Sequence, residues 1–150
     1  MQKVSVIIPA FNEEKNIANV IKNLKQSKVE NEIIIVNNCS TDNTEMIAKE
    51  AGADKVVYCA KQGKGYAMEE GLKYAQNDVV AFIDGDLKIL TNQILEEITN
   101  PIVYENVDFV KSTFEREGGR VTELVTKPLL ELLFPDMYKF RSTIKWNNSR

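Results

Sequence analysis

The chain has 150 residues, of which 43% are apolar and 27% are charged, and its formal net charge is −3. This length suits one domain-sized core, and the average apolar content with few Gly and Pro residues excludes disordered, collagen-like and low-complexity classes. The sequence contains no His, which excludes a Ser-His-Asp triad, a Cys-His dyad and an imidazole base. Its two cysteines, Cys39 and Cys59, are too few for a zinc site or a disulfide framework. Carboxylates, Lys, Tyr or water must therefore carry any proton transfer.

Charge is distributed unevenly along the chain. Residues 1–110 carry 11 basic and 17 acidic side chains, whereas residues 111–150 carry 8 and 5. The positive C-terminal part favours an anionic partner. No run approaches the ~20 apolar residues of a membrane span, and the N-terminus has no signal-peptide pattern. We therefore expect a cytoplasmic protein without a membrane span.

Apolar strand signals alternate with segments of helical period, which is the pattern of a parallel α/β sheet. The predicted strands cover residues 4–8, 32–36, 55–59, 79–83 and 109–114. Helices are predicted between them, and the one before the fifth strand covers about residues 92–99. A last helix at about 121–134 contains Pro128, which predicts a kink or a break. The expected fold is α/β, a mostly parallel sheet with helices on both faces.

Local signals refine the first and third helices. Pro9 is expected to stop the first strand, and Asn12 is expected to cap the helix that follows. Four apolar residues of that helix recur with helical period and predict one buried face: Ile17, Val20, Ile21 and Leu24. Three small residues share one face of the third helix and predict close packing on the sheet: Ala67, Gly71 and Ala75.

Two carboxylates, those of Asp84 and Asp86, directly follow the buried fourth strand on either side of Gly85. Open α/β sheets bind ligands at this carboxyl edge, and paired carboxylates hold a hard divalent cation. Asp86 is the expected metal ligand, and Asp84 is expected to bond a ribose or sugar. The alternative is a simple acidic turn.

The loops after the first two strands, 9–14 and 37–40, reach the same edge if the sheet is parallel. They offer polar groups for a base and a ribose. Under the plainer interpretation, Asn12, Ser40 and Thr41 are helix caps and nothing more. The residue types alone leave both interpretations open.

Two glycine-rich segments predict anion binding. Gly63-Lys64-Gly65 places an ammonium and free backbone N–H groups at a helix N-terminus. Gly118-Gly119-Arg120-Val121-Thr122 combines a flexible backbone with a guanidinium and a hydroxyl suited to a phosphate or carboxylate. The alternatives are a solvated Lys in a turn and a flexible loop with a capping Thr.

Four motifs together resemble a known family in their order and spacing. They are Val4-Ser5-Val6-Ile7-Ile8-Pro9-Ala10-Phe11-Asn12-Glu13-Glu14, Asn38-Cys39-Ser40-Thr41-Asp42-Asn43-Thr44, Gly63-Lys64-Gly65 and Ile83-Asp84-Gly85-Asp86. They resemble the family 2-type nucleotide-sugar glycosyltransferases, which have the Rossmann-like GT-A fold. Within that family, the run from Gly118 to Leu130 resembles the glucosyl-3-phosphoglycerate synthases. The resemblance covers about residues 3–135 and implies metal-dependent, retaining transfer of a hexose from a nucleotide sugar, with UDP-glucose favoured, to 3-phosphoglycerate.

Carried over by position, the resemblance implies three sets of site residues. The nucleotide-sugar pocket comprises Pro9, Ala10, Asn12, Glu13, Asn37, Ser40, Lys64 and Asp84, with Ser40 on the uridine and Lys64 on the diphosphate-linked sugar. Asp86 holds the divalent cation, Mg²⁺ or Mn²⁺, and Asp84, Asp86 and Lys64 form the catalytic set. Gly119, Arg120 and Thr122 bind the small anionic acceptor. The resemblance implies that the cation neutralises the departing nucleoside diphosphate while the acceptor hydroxyl attacks from the same face, so that no protein general base is strictly required.

The chain departs from the family pattern in two respects. Asn37 stands where family 2 enzymes usually carry an Asp after the second strand. The chain stops at Arg150, before the further region and the His that complete the metal site of the synthases. We therefore expect a C-terminally truncated member, with the nucleotide-sugar domain and the start of the acceptor region at 1–135 and a basic polar tail at 136–150.

Two other functions stay open. A catalytically silent nucleotide-binding module would expose apolar surface at its truncated edge and pair with a second copy of itself as a homodimer. A third interpretation takes the basic and aromatic residues after Pro135 as an arm for nucleic acid or an anionic membrane. A solvated tail without a nucleic-acid partner is the expectation there.

Overall fold

The computed structural model describes residues 3–87, 92–105, 107–113 and 144–145. The chain divides into two compact units, residues 1–99 and 100–150. In chain order the elements are β1 (Val4–Ala10), α1 (Ile17–Lys25), β2 (Asn31–Asn37), α2 (Thr44–Glu50), β3 (Lys55–Tyr58), α3 (Lys64–Leu72), β4 (Val79–Phe82), α4 (Ile94–Tyr104), β5 (Ser112–Thr113) and β6 (Ile144–Lys145). No helix among the described residues is long and apolar enough to cross a membrane.

The main sheet has the strand order β3-β2-β1-β4, and its neighbouring strands are parallel. The chain proceeds outward from β1 to β3 on one side and then returns to place β4 on the other side of β1. The sheet therefore has its topological switch point between β1 and β4, and ligands bind open α/β sheets at such a point, outside the carboxyl ends of the strands. The predicted parallel α/β architecture is confirmed.

Close packing of α3 on the sheet depends on small residues, as the sequence predicts. Ala67 is buried in a cluster with Ile7 and Ile34. A Cβ atom built on Gly71 would overlap Cγ2 of Ile7 and would lie 3.0 Å from Cγ2 of Val36. No larger residue fits at Gly71 without moving the helix, so this position fixes the distance between α3 and β1.

The opposite face of the sheet is covered as well. Because side chains alternate along a strand, Val6 and Ile8 face away from α3, and both are fully buried. Helix α1 buries its predicted stripe completely: Ile17, Val20, Ile21 and Leu24. The contacts of α1 and α2 with each other and with β2 place these helices together, so helices lie on both faces.

The predicted end of β1 at Pro9 is wrong, because the strand continues to Ala10. The carbonyl of Ala10 accepts a bond from Asn38 on the β2 side, whereas the carbonyl of Ile7 accepts one from Ile83 on the β4 side. By alternation, the nitrogen of Pro9 faces β4 just beyond the last described pair, Ile7 with Phe82. Its missing N–H therefore costs no ladder hydrogen bond, which is the situation in which a strand tolerates proline.

The predicted cap of α1 is wrong too. Helix α1 begins at Ile17 with Asn16 as the N-cap residue, and the Asn16 amide bonds the carboxylate of Glu13 at 2.9 Å. Asn12 lies a turn earlier in a left-handed conformation, with φ of 56°. Its carboxamide oxygen accepts the N–H of Thr41 at 2.8 Å instead. A long-range loop contact has replaced the local cap.

The polypeptide beyond β4 differs most from the prediction. Helix α4 runs to Tyr104 through Pro101 rather than ending near residue 99, since a proline removes a single helical N–H and the helix bond from Glu105 to the Pro101 carbonyl persists. Strand β5 covers Ser112–Thr113 and does not begin at Phe109, and it pairs in parallel with β6 in a separate sheet. Phe114 lies outside the described residues. The predicted helix at 121–134 lies outside the described residues.

Polar groups at the amino ends of the strands form a compact network. The Ser5 hydroxyl, fully buried, donates to Glu32 Oε1 at 2.5 Å and accepts the Asn77 backbone N–H at 3.1 Å. Glu32 Oε1 also accepts the Gln76 N–H at 2.7 Å. This network, which we call the amino-edge network, ties the segment before β4 to the starts of β1 and β2.

Candidate functional site

A cleft of about 420 Å³ opens at the carboxyl edge of the sheet, at the switch point between β1 and β4. Six of the site residues implied by the resemblance line it: Pro9, Ala10, Glu13, Lys64, Asp84 and Asp86. Five others complete the lining: Phe11, Asn38, Gln62, Gly63 and Gly85. The fold thus brings the loops after β1 and β4 together with the start of α3 around one cavity.

Lys64 and Asp84 form an ion pair across the cleft. The Nζ atom of Lys64 lies 2.5 Å from Oδ1 of Asp84, and the two side chains are 61% and 51% exposed. An ion pair this exposed contributes little to stability, typically about 0–1 kcal/mol. An anionic ligand can therefore attract the ammonium at a small energetic cost to the fold.

Asp86 is the free carboxylate of the cleft. Its side chain is exposed and has no hydrogen bond or ion pair within the described part of the chain. Gly85 lies between the two aspartates and is buried, with its ideal Cβ position 3.4 Å from Cγ of Glu13. The turn is thereby seated against the β1 loop while the carboxylate of Asp86 projects into solvent.

The carboxylates of the cleft suit a hard divalent cation whose remaining ligands come from a bound oxyanion. Carboxylate oxygens are the protein ligands that Mg²⁺ and Mn²⁺ prefer, and Mg²⁺ is commonly held by one or two of them together with phosphate oxygens and water. Within residues 3–87, 92–105, 107–113 and 144–145, no group of three or more His, Cys, Asp or Glu side chains could hold a metal. These residues thus offer Asp84 and Asp86, and an incoming ligand must supply further oxygens.

The loops after β1 and β2 are bonded to each other. Ser40 Oγ accepts the N–H of Asn12 at 3.1 Å, and the Asn12 carboxamide accepts the N–H of Thr41. Asn12 and Ser40 do not belong to the lining of the described cleft. In this structure they hold the loop after β1, whose residues Phe11 and Glu13 line the cleft. These bonds between loops replace the helix-capping role anticipated for Asn12, Ser40 and Thr41.

A second set of bonds extends the connection to α2. Oγ1 of Thr44 accepts the N–H of Glu13 at 2.8 Å, and Oδ2 of Asp42 accepts the N–H of Glu14 at 3.1 Å. Desolvation raises the pKa of Asp42, but hydrogen bonds from Thr44 and Glu14 outweigh it, so that this pKa lies below its ordinary value. The ionised form of Asp42 is the one that braces the β1 loop.

Asn37 faces α2 rather than the cleft. It is buried, its Oδ1 accepts the N–H of Ser40 at 3.0 Å, and its Nδ2 donates to Oε2 of Glu45 at 3.0 Å. Hydrogen bonding from Lys49 and then from Asn37 lowers the pKa of Glu45. An amide suits this position because an Asp here would set two carboxylates against each other.

Asn38 is a cleft residue to which sequence reasoning assigned no individual role, because it was considered only as part of the loop 37–40. It is 4% exposed and bonds three backbone groups of the segment before α3. The available signal was the second of two consecutive amides after the apolar run 33–36. Phe11, Gly63 and Gly85 were predicted only as members of their motifs, and Gln62 had no assigned role. The predicted acceptor residues Gly119, Arg120 and Thr122 lie outside the described residues.

Comparison with known proteins places this geometry in a family. The model of the family described as glycosyl transferase family 2 matches residues 5–149, so the match extends beyond residue 135, where the motif resemblance ended. The chain is 33% identical over 155 residues to the glucosyl-3-phosphoglycerate synthase of Mycolicibacterium smegmatis, covering 89% of this chain and 51% of that protein. It is 30% identical to the synthase of Petrotoga mobilis, covering 90% and 49%.

Solved structures agree with these relatives. A glucosyl-3-phosphoglycerate synthase from Mycobacterium tuberculosis in complex with Mn²⁺, UDP-glucose and phosphoglyceric acid superposes with a TM-score of 0.82 at 34% identity, covering 94% of this chain and 54% of that chain. A complex of the same enzyme with Mg²⁺ and UDP gives a TM-score of 0.80 at 34% identity, covering 93% and 52%. The Rossmann-like GT-A fold predicted from the motifs is confirmed. The chain spans about half the length of the curated relatives it matches.

Proposed function

This chain belongs to glycosyl transferase family 2, and we propose that it supplies the donor site of a metal-dependent, retaining transfer of glucose from UDP-glucose to a small phosphorylated acceptor such as 3-phosphoglycerate. One observation carries the proposal. The cleft at the β1–β4 switch point brings Lys64, Asp84 and Asp86 together. These are the charges that a nucleoside diphosphate and its cation require.

The walls of the cleft suit the nucleotide. Pro9 and Ala10 form an apolar wall beside Glu13. Lys64 would exchange its bond with Asp84 for the diphosphate, which frees Asp84 to accept a hydrogen bond from a ribose or sugar hydroxyl. The Ser40 hydroxyl accepts a bond from Asn12 and keeps its own proton to donate to the uridine. Asn12 and Asn37 would contribute by holding Ser40.

Asp86 would hold the divalent cation, Mg²⁺ or Mn²⁺. When bound, the cation supplies charge that stabilises the departing nucleoside diphosphate. Asp86 suits this role because its carboxylate is exposed and has no partner in the part of the chain that the structure describes. For the acceptor we retain Gly119, Arg120 and Thr122, since a guanidinium beside a glycine-rich segment suits a phosphate or carboxylate.

Isothermal titration of UDP, UDP-glucose and GDP, with and without Mn²⁺, tests the donor site. We expect Mn²⁺-dependent binding of UDP that falls about 100-fold or more in Asp86→Ala, because the variant removes the cation's protein ligand. Asp78→Ala is the matched control, since Asp78 is an exposed aspartate before the amino end of β4. Equal UDP affinity with and without Mn²⁺, or in Asp86→Ala, would contradict the proposal.

A transfer assay then separates enzyme from binding module. We expect glucose from UDP-glucose to reach 3-phosphoglycerate in the presence of Mn²⁺, and we expect this product to be lost in Arg120→Ala. Nucleotide binding without transfer, accompanied by self-association in sedimentation, would instead support the catalytically silent module.

A further inference from the structure

We propose that Asn38 is a positioning residue for Lys64: its carboxamide holds the segment 59–63 in the conformation that delivers the Lys64 ammonium to the cleft. The ligand that Lys64 binds, a nucleoside diphosphate, rests on the proposed function. The positioning itself is a property of the chain and can be tested without nucleotide.

The contacts of Asn38 all converge on this segment. Nδ2 donates to the carbonyl of Cys59 at 3.3 Å and to the carbonyl of Lys61 at 2.8 Å. Oδ1 accepts the N–H of Gly63 at 2.7 Å. Lys64 is the next residue and the first of α3. One buried side chain at the end of β2 therefore sets the path of the backbone up to the residue that crosses the cleft.

The chemistry of these contacts requires an amide. Two carbonyl oxygens need donors, and the Gly63 N–H needs an acceptor, so the orientation of the carboxamide follows from its partners. An Asp has the same shape but no N–H, and it would set a carboxylate against the carbonyls of Cys59 and Lys61. Asn38→Asp therefore removes the donors at nearly constant volume.

The segment needs such bracing because its backbone is unusual. Gly63 has φ of 139° and ψ of 136°, a conformation essentially restricted to glycine. Its ideal Cβ position lies 3.1 Å from Cδ2 of Tyr66, and the Lys61 ammonium lies 3.6 Å from the centre of the Tyr66 ring. The segment is folded back on the first turn of α3, and the carboxamide of Asn38 satisfies its inward-facing backbone groups.

A double-mutant cycle tests whether Asn38 acts through Lys64. We measure UDP affinity with Mn²⁺ by calorimetry for the wild type, Asn38→Asp, Lys64→Ala and the double variant. Each single change is expected to weaken binding about 10-fold, and the double variant is expected to be little weaker than either, because two changes on one pathway are not additive. A loss of about 100-fold in the double variant, the product of independent effects, would overturn the proposal.

Two controls isolate positioning from general destabilisation. Ser5→Ala weakens the amino-edge network at the other end of the sheet, and its effect on UDP affinity should be the same in the wild-type chain and in the Lys64→Ala variant. If Asn38→Asp does not fold, the cycle is run with Asn38→Ser, which keeps a hydroxyl at the position.

Hydrogen exchange of the Gly63 amide gives a readout that needs no ligand. In Asn38→Ala this amide loses its acceptor, and we expect its exchange to accelerate about 10-fold or more relative to the wild type, whereas Ser5→Ala leaves it unchanged at matched stability. Unchanged exchange in Asn38→Ala would overturn the proposal. A wild-type chain that binds no UDP would contradict the proposed function, while the exchange result would still decide whether Asn38 holds the segment.

Discussion

The two edges of the main sheet use polar residues in opposite ways. At the amino edge, the buried hydroxyl of Ser5 and the half-buried side chains of Glu32 and Asn77 bond one another and nearby backbone groups. At the carboxyl edge, Lys64 and Asp84 form an exposed pair and Asp86 stands free in the described structure. Polar groups at the first edge use their hydrogen-bonding capacity within the fold, whereas those at the second retain capacity for a ligand.

Backbone conformation shows the same contrast. The two non-glycine residues with positive φ among the described residues are Asn12 and Cys39, and both lie in loops at the carboxyl edge. Such conformations cost free energy and persist where surrounding contacts hold them, which occurs most often near functional sites. The bonds between the β1 and β2 loops supply those contacts here.

The strongest test of the contrast is Ser5→Ala. We expect it to lower the free energy of unfolding by about 1–2 kcal/mol, because it leaves the partly buried backbone N–H of Asn77 without its acceptor, and to leave UDP affinity within about twofold. Urea unfolding and calorimetry measure the two quantities. Ser27→Ala is the control, since the Ser27 hydroxyl accepts only the local N–H of Val29 among its described contacts. A large loss of UDP affinity in Ser5→Ala would break the comparison.

Lys64→Ala should show the reverse pattern. We expect UDP affinity to fall about 10-fold because an ammonium is lost from the phosphate site, with the free energy of unfolding unchanged within about 0.5 kcal/mol because the ion pair is exposed. Lys49→Ala removes a similarly exposed ion pair with Glu45 on α2 and should change neither quantity. A Lys64→Ala variant that is destabilised but binds UDP normally would assign Lys64 to the fold.

Acidification should weaken the carboxyl-edge loops through Asp42. Because the folded pKa of Asp42 lies below its ordinary value, its contribution to stability is present above the unfolded pKa and is lost as pH falls through the folded one, in the range below about pH 4. Thermal unfolding from pH 6 downward should therefore show a shallower acid decline in Asp42→Asn than in the wild type. Parallel declines would contradict a bracing role for the ionised carboxylate.

The smallest expected effect concerns Cys39, whose φ is 63°. Cys39→Gly should raise the free energy of unfolding by about 0.5 kcal/mol, since glycine adopts this conformation without the steric cost of a Cβ atom but loses more entropy on folding. Cys39→Ala retains the Cβ atom and should show no gain. The Cys39 thiol donates to the carbonyls of Cys59 and Ala60 at 3.4 and 3.5 Å, and a destabilised Cys39→Gly would mean that these bonds outweigh the backbone strain.

The sequence predicted correctly those parts of the fold and the site that depend on periodicity and composition. The parallel strands follow from the alternation of strand and helix signals, and the buried stripe of α1 follows from helical spacing. Gly71, which packs against Ile7, follows from the small residues on one face of α3. The motif order also identified Lys64, Asp84 and Asp86, which the fold brings into one cleft. The helix and strand patterns can be read within short segments of the sequence. The meeting of Lys64, Asp84 and Asp86 follows because the carboxyl ends of parallel strands lie at one edge of the sheet.

The errors share a different cause. Asn12 looked like a local cap, but its partner Thr41 is 29 residues away. Pro9 looked like a strand end, and only the register with β4 shows that its nitrogen faces no ladder partner. Asn38 was considered only as part of a ligand-binding loop, and its partners Cys59, Lys61 and Gly63 lie after β3, more than 20 residues away. In each case a contact between distant segments overrode a local preference, and such contacts are not visible in a single sequence.

The strand order also has a consequence for the folding process. Strand β1 pairs with β2 across the connection 11–30, which contains α1, whereas its pairing of Val4 with Val79 closes the longest loop in the main sheet. Closure entropy grows with loop length, and parallel pairings between distant residues slow folding. We therefore expect β4 to dock late, after β1 and β2 have paired. Asp84 and Asp86 come just after β4. The recovery of nucleotide binding during refolding should therefore report the docking of β4.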